Sequence, residues 1–436
     1  IDLGRRIFNH NWARPESWAG RETLGTGGDG LGPLFNEVSC VACHSQGGTG
    51  GSGDNNHNVQ LLNVDLRSSP IISIRAQALD EAQTIHPGLS RSSSSVVLHN
   101  FGFGPQDDEY EYQQFRSNLL NRVEAMPARS VSTTAPRFSF ELSQRSTPAL
   151  WGLGLIESIR IDEGHKLRRE LVRLQGLSQR GVSGRTPRTP TGEQGWYGWR
   201  GHVEDLKGFV VSACAVELGL EVPQRFQPDN PLYPNPKRTR PLDLDLTSPQ
   251  VTALTAFIAQ LPRPERIIPS DPYNRQAAEY GELVFHGIGC SECHVKTLGS
   301  VVDIYSDLLL HDMGPRISDQ SPANPDSTPP PSRTVSVRQG GSGYGGGGLM
   351  TVTVPGRKPV PTNVDQEWRT PPLWGSADSA PYLHDGRAET FHDAIELHEG
   401  EASASAEEYR RLSDEQRSSL LSFLDTLRAP VTNNVE

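Results

Sequence analysis

The run Tyr280-Gly281-Glu282-Leu283-Val284-Phe285-His286-Gly287-Ile288-Gly289-Cys290-Ser291-Glu292-Cys293-His294 sets an amphipathic segment directly in front of a Cys-x-x-Cys-His motif. In such a motif the two thiols stand one helical turn apart and can add across the two vinyl groups of a haem, while the adjacent His becomes an axial iron ligand. A second copy, Cys40-Val41-Ala42-Cys43-His44, lies upstream, and the two copies account for four of the five cysteines. A zinc knuckle or a redox dithiol would want a further Cys/His pair nearby or a thioredoxin-like βαβ setting, and neither motif has one. The motifs therefore predict two covalently held haems c. Cys40, Cys43, Cys290 and Cys293 are the attachment points, and His44 and His294 the iron ligands. Cys214 is left without a partner and reads as a small buried residue.

Working outward, the segment before Cys290 has an echo at the start of the chain, Leu3-Gly4-Arg5-Arg6-Ile7-Phe8-Asn9, separated from Cys40 by a Gly-rich insertion, Gly25 to Gly32. A second echo lies downstream of each motif. Thr247-Ser248-Pro249-Gln250 precedes Val251, Leu254, Phe257, Ile258 and Leu261, and Ser413-Asp414-Glu415-Gln416 precedes Leu420, Leu421, Phe423, Leu424 and Leu427. Both read as amphipathic helices with a hydroxyl N-cap, a Gln three residues on, and a stop at Pro262 or Pro430. A third echo pairs Arg145-Ser146-Thr147-Pro148-Ala149-Leu150-Trp151-Gly152 with Trp368-Arg369-Thr370-Pro371-Pro372-Leu373-Trp374-Gly375. A leading helix, a haem motif and a closing helix outline a cytochrome c fold, here written twice. The expected architecture is mainly α: two tandem cytochrome c-like domains, at 1–262 and 270–436, with long irregular loops and few, short strands. Arg263 to Pro272 is the expected linker, and Ser318 to Gly348, rich in Pro and Gly, reads as a long flexible loop or lid.

Composition fits this outline. Only 35% of the 436 residues are hydrophobic, and 43 Gly with 34 Pro imply much irregular chain, for which haem would supply apolar surface to close around. A net charge of −11 argues against nucleic acid or an anionic membrane surface as partner and leaves a basic electron donor open. No apolar stretch reaches the length of a membrane span. The chain begins at Ile1 without an initiator Met, and haem c is attached outside the cytoplasm, so a removed signal segment and an exported, periplasmic protein are expected.

Thr-Pro-x-Leu in each unit, followed by Ala380-Pro381-Tyr382-Leu383-His384-Asp385-Gly386-Arg387, resembles the bacterial di-haem cytochrome c peroxidase and MauG superfamily. Asp307-Leu308-Leu309-Leu310-His311-Asp312-Met313-Gly314-Pro315, Arg369 to Gly375 and His398-Glu399-Gly400-Glu401-Ala402 are similar, more narrowly, to its branch of di-haem peroxidases also described as thiol oxidoreductases. The likeness covers most of the chain, is specific at the haem motifs and from Leu308 to Leu427, and is looser between residues 45 and 145. The resemblance implies one haem open to peroxide or oxygen and one six-coordinate haem that handles electrons.

Helical spacing after His384 puts Phe391, Ala394, Ile395 and His398 on one face, so His398 is an imidazole on an apolar stripe. Read alone it is a buried His bonded to a carbonyl. The resemblance makes it the second ligand of the C-terminal haem, where relatives use Met or Tyr, with Met313 or His311 as fallbacks. By the same resemblance His384 lies close to that haem, bonded to a propionate, and Ser379 and Pro381 fall where peroxidases offer oxygens to a calcium ion. Gly198-Trp199-Arg200-Gly201-His202 matches the segment holding the superfamily's bridging tryptophan, Trp199 here, whereas Trp151 and Trp374 read as core. Spacing from Leu206 gives a stripe of Phe209, Val210, Ala213, Glu217 and Leu220. A carboxylate on that face is desolvated and its pKa rises toward that of a usable acid/base. Glu217 is accordingly the candidate for the family's distal acid/base, and Glu157 the second choice. His57 and His99 are the histidines available to cap the N-terminal iron, although both read more naturally as loop residues. Gly181 to Gly195 reads as a surface loop near the substrate entrance.

Three functions follow. The first is a di-haem peroxidase reducing hydrogen peroxide with electrons from a small redox protein. The second is a MauG-like oxidase spending peroxide or oxygen equivalents on a protein or organic substrate. The third is a di-haem electron carrier without turnover. A catalytic dithiol has no support, because haem claims all four paired cysteines.

Overall fold

The computed structural model describes the chain except residues 14–29, 66–71, 91–92, 104–108, 125–128, 131–136, 190, 224, 234–243, 320–332, 339–348, 355–364 and 432–436. Most of the Gly-rich insertion expected at Gly25 to Gly32 and much of the expected Ser318 to Gly348 loop lie outside the described residues. Helices dominate. The first half carries α1 (Asp2–Asn9), α2 (Cys40–Cys43), α3 (Ile72–Ala82), α4 (Glu109–Glu124), α5 (Leu153–Asp162), α6 (Gly164–Gln175), α7 (Leu206–Glu217) and α8 (Ser248–Ala259). The second carries α9 (Pro272–Gly287), α10 (Phe391–Glu396), α11 (Ser403–Arg411) and α12 (Asp414–Leu424). None is long and apolar enough to cross a membrane among the described residues.

Two helix pairs repeat one geometry. α1 crosses α8 at Gly4, where an added Cβ would lie 2.1 Å from the Ala253 carbonyl oxygen, and α9 crosses α12 at Gly281, 1.9 Å from that of Ser419. Only glycine permits backbones to approach so closely. Phe8 then meets Phe257 at 5.4 Å and the His44 ring at 6.4 Å, while Phe285 meets Phe423 at 5.3 Å and the His294 ring at 6.4 Å. The caps expected from sequence are present: Thr247 with Gln250 and Ser413 with Gln416 form capping boxes. The helices end earlier than the prolines, at Ala259 and Leu424, so Pro262 and Pro430 lie beyond stops already made. Asp271 caps α9, whose first residue is Pro272, so the linker's last proline serves as a helix start.

The halves meet through reciprocal contacts. Gly152 and Gly375, at φ +71° and +73°, each lead into a helical turn, and each packs on the other half's tryptophan. A Cβ on Gly152 would lie 2.6 Å from Trp374, and one on Gly375 2.9 Å from Trp151. Both rings are core residues, and Leu298, Ile304, Leu308 and Trp374 of the second half join the cluster built on Phe8, Trp151, Leu206 and Leu254.

Three stretches differ from expectation. Residues 59–145, where the resemblance was loose, form an antiparallel four-stranded sheet in the order Ser95–Leu98, Val59–Asp65, Arg137–Arg145, Arg129–Ser130, with α3 and α4 closing a separate core around Leu62, Leu79, Leu98 and Leu119. Arg333–Arg338, within the described part of the expected lid, is a strand that pairs antiparallel with Leu349–Val354 just beyond it. Gly181 to Gly195 is a strap rather than a free loop. It pairs Arg185 with Leu310, salt-bridges Arg185 to Glu367 and bonds Ser183 to Glu401, because its arginine and small residues find acidic and strand partners on the second half.

Candidate haem centres

Each Cys-x-x-Cys-His motif is one tight turn packed against its leading helix. Ser39 caps α2 by accepting from the Ala42 amide at 3.2 Å, and the His44 and His294 amides donate back to Cys40 and Cys290 at 3.0 and 2.9 Å. None of the five cysteines is in a disulfide, and burial pushes the Cys40 and Cys290 thiols up to about 12. Neutral, enclosed thiols of this kind are not poised for dithiol exchange.

The C-terminal centre is a cavity of ≈ 300 Å³, lined among others by Cys290, Cys293, His294, Phe391, Ala394 and His398. His294 donates Nδ1–H to the Tyr305 carbonyl at 2.9 Å, and His398 donates its own to the Ala394 carbonyl at 2.7 Å. Both imidazoles are therefore held as the tautomer whose Nε2 carries a lone pair, as a metal ligand requires. Burial pulls His294 down to about 4, with the nearby His398 adding to it, and pulls His398 down as well. Phe391, Ala394, Ile395 and His398 all line the cavity, as the helical spacing implied, although α10 stops at Glu396 and His398 sits in the following turn. The residues fit a haem: two thiols, two neutral imidazoles and an apolar wall, with an orphaned cation at its edge. That cation is Arg369, whose Nη1 is buried without a hydrogen-bond partner among the described residues.

Met313 also lines the cavity. His311 does too, but both its nitrogens are occupied, Nε2 by Asp307 at 2.9 Å and Nδ1 by Glu401 at 2.8 Å. Burial alone would pull His311 down; the Asp307 charge outweighs it and holds the imidazole well above its ordinary value. His384 stacks on Trp368 at 3.5 Å and lies 3.2 Å from Asp319, which Arg145 grips at 2.5 and 3.0 Å. Ser379 donates to the Gly375 carbonyl at 2.8 Å, and Pro381 stands at the cavity wall.

At the N-terminal centre His44 donates Nδ1–H to the Gly51 carbonyl at 3.2 Å, and burial pulls it down to about 4. This repeats the His294 arrangement, with Phe8 in place of Phe285. Glu217 is the last residue of α7. The buried face of that helix runs Leu206, Val210, Cys214, so Ala213 lies beside it and Leu220 beyond the helix end. Asn36 Nδ2 donates to Glu217 Oε2 at 2.6 Å, and the Asn36 side-chain oxygen accepts from the Asn100 amide at 2.9 Å, which fixes the orientation of the donor. Burial pushes the Glu217 carboxyl up, with the Asn36 bond and Arg225 pulling the other way. Glu217 is close enough to Cys43 for its charge to push that thiol up further.

Glu157 is held differently. It accepts from Arg160 at 2.7 Å, the Tyr197 hydroxyl at 2.7 Å and the Leu206 amide at 3.3 Å; burial would raise its carboxyl, and these bonds outweigh burial and lower it. His57 is bonded to Asp54 at 2.9 Å, and His99 to the Val216 carbonyl at 2.8 Å. Trp199 lines the C-terminal cavity and donates its indole N–H to the Ser146 carbonyl at 2.8 Å. Ser146 leads into Thr147, which bonds the His57 carbonyl at 3.3 Å, so this strand of chain joins the two centres. Sequence reasoning missed the buried arginines, Asp319 and the Asp307–His311–Glu401 cluster. Arg145 and Arg369 stood inside the repeated Thr-Pro segments, but nothing in the spacing showed which cations would be buried.

The two Cys-x-x-Cys-His turns and the cavity beside the second make up a pair of candidate haem centres. Residues 351–427 match the family model described as "Di-haem oxidoreductase, putative peroxidase". No curated protein matches the chain. Among solved structures it is similar to the Kuenenia stuttgartiensis hydrazine synthase pressurized with xenon, at 15% identity and a TM-score of 0.34 over 65% of this chain and 73% of that one. It is also similar to a MauG-like protein associated with microbial copper homeostasis, at 16% identity and a TM-score of 0.25 over 43% and 55%.

Proposed function

We propose that this chain is a periplasmic di-haem c peroxidase that reduces hydrogen peroxide at the N-terminal centre with electrons delivered through the C-terminal one. The observation that carries the reading is the contrast between the centres. His294 and His398 face one cavity as two imidazoles with lowered pKa, whereas the N-terminal motif has His44, with Glu217, whose carboxyl desolvation pushes up, nearby.

When bound, haem would supply peroxide activation at one centre and electron relay at the other. Cys40, Cys43 and His44 would hold the first, and Cys290, Cys293, His294 and His398 the second. The chain's own residues do the rest. Glu217 takes the proton from one peroxide oxygen and returns it to the other, which leaves as water; its raised pKa suits both transfers. Asn36 keeps the carboxyl pointed while it changes charge. Trp199, anchored by Ser146 between the centres, is the relay residue. His384 and Asp319 close the cavity edge, and Glu157, already salt-bridged, steadies Tyr197 rather than moving protons. Calcium at Ser379 and Pro381 belongs to this reading as an added ion between the halves. A small redox protein serves as donor.

The test is the optical and EPR spectrum of the ferric protein before and after one equivalent of hydrogen peroxide. One high-spin and one low-spin haem, with a fast peroxide-induced change and turnover driven by a reduced cytochrome, is the expected result. Two low-spin haems indifferent to peroxide would overturn it. Oxidation of a dedicated substrate without an external donor would instead identify a MauG-like oxidase.

A further inference from the structure

Among the described residues Arg369 has no carboxylate hydrogen-bonded to its guanidinium. It sits on the short strand Glu367–Arg369, paired with Leu310–Asp312, and lines the C-terminal cavity. Its Nε donates to the Gly198 carbonyl at 3.0 Å and its amide to the Trp199 carbonyl at 3.1 Å, while Nη1 is buried without a partner among the described residues. No carboxylate hydrogen-bonds it there, and burial pulls its guanidinium down to about 10. The neighbouring cations are spent elsewhere. Arg185 is paired with Glu367 and Arg145 with Asp319; Arg168, which does not line the cavity and whose Nε is also buried without a partner among the described residues, gives Nη1 and Nη2 to the Gly195 and Leu308 carbonyls and stacks on Trp196 at 3.5 Å. The nearby Asp307 is committed as well: Oδ1 accepts from the Leu309 amide, Oδ2 from Gln175 and His311. Asp307 acts on Arg369 only through its charge, with no hydrogen bond to it, so a buried guanidinium with an orphaned Nη1 at the cavity wall is favourably completed by an anion in the cavity.

We propose that Arg369 is the anchor for a carboxylate of the C-terminal haem, holding one propionate at the cavity edge formed by Gly198 and Trp199. The inference rests on the reading of that cavity as a haem site. It makes Arg369 a positioning residue. The guanidinium balances the propionate charge, and its backbone bond to Trp199 fixes that edge of the haem beside the relay indole. Lysine would keep the charge but lose the fork that reaches both a carboxylate and Gly198.

The experiment is resonance Raman of the low-spin haem in H2O and D2O, with its midpoint potential, for the wild-type holoprotein, Arg369→Gln and Arg369→Lys. A propionate bending band that shifts in D2O in the wild type, loses that sensitivity in R369Q and accompanies a more negative potential, largely restored in R369K, is expected. An isotope-insensitive band in the wild type overturns the proposal even if R369Q fails to accumulate, as does an R369Q protein with unchanged band and potential. Haem content and the mass of the Cys290–Cys293 peptide are read on the wild type first. A bare peptide there sinks the haem reading itself, an outcome distinct from a haem whose propionate ignores Arg369.

Discussion

At the residue scale, the chemistry depends on what each buried polar group is bonded to. Glu217 and Glu157 are both carboxylates near the N-terminal half's core. One accepts from the Asn36 amide and burial pushes its carboxyl up; the other accepts from a guanidinium, a phenol and a backbone amide, which together lower it. Glu217→Gln should therefore slow peroxide cleavage by about 10²–10⁴-fold while leaving peroxide binding nearly unchanged, which stopped-flow binding and steady-state turnover separate. Glu157→Gln should act mainly on stability. His398→Ala should convert the C-terminal haem from low-spin to high-spin by EPR; a persistent low-spin signal would take His398 off the ligand list. The Cys-x-x-Cys-His motifs and the His398 stripe could be read from sequence because their meaning is local, fixed by a turn or a helix face. Arg369 could not, because its significance lies in the absence of a partner, and that depends on segments far apart in the chain.

At the element scale, the two helix crossings carry the fold. Gly281→Ala would set a Cβ 1.9 Å from the Ser419 carbonyl and Gly4→Ala one 2.1 Å from that of Ala253, so each should cost about 1–3 kcal/mol in chemical denaturation. Gly287→Ala, at the end of α9 with nothing within 4 Å, is the control and should be neutral or slightly stabilising. These framing helices were legible: N-cap, Gln at the third position and a 3.6-residue stripe agree in both copies. The sheet over residues 59–145 was not. Its central strand Val59–Asp65 pairs with Arg137–Arg145, a register set by contacts some eighty residues apart that no local period announces. In the surface loop from Gly181 to Gly195, the partners Glu367 and Glu401 were not legible, since they come from segments far along the chain.

At the scale of the whole molecule, buried histidines set the response to acid. Burial holds His86 and His99 down at about 4, against an ordinary 6.5, so both stay neutral in the folded chain. Once the pH falls below about 6.5 the unfolded chain binds protons that the folded one refuses, and each histidine removes about 1.4 kcal/mol of stability per pH unit until about pH 4. His311 works in the opposite sense. Its raised pKa gives stabilisation that is full below about 6.5 and lost as the pH rises through the folded value. His10, which burial likewise holds at about 4, acts with them, so the groups that lose stability outnumber His311 and acidification brings a net loss, which urea unfolding at about pH 7 and pH 5 measures; His99→Gln should flatten the slope. A profile that rises toward pH 5 would contradict the burial of these rings.

The Trp151–Gly375 and Trp374–Gly152 contacts look different when considered as symmetry. Each half offers a ring and a notch, and each receives the other's, the relation two identical protomers have across a two-fold axis. Such a contact is self-complementary and closed: once both rings are seated, no copy of the same surface remains to recruit another chain. A single polypeptide that meets itself in this way is, in assembly terms, already a dimer, its stoichiometry fixed by the linker rather than by concentration.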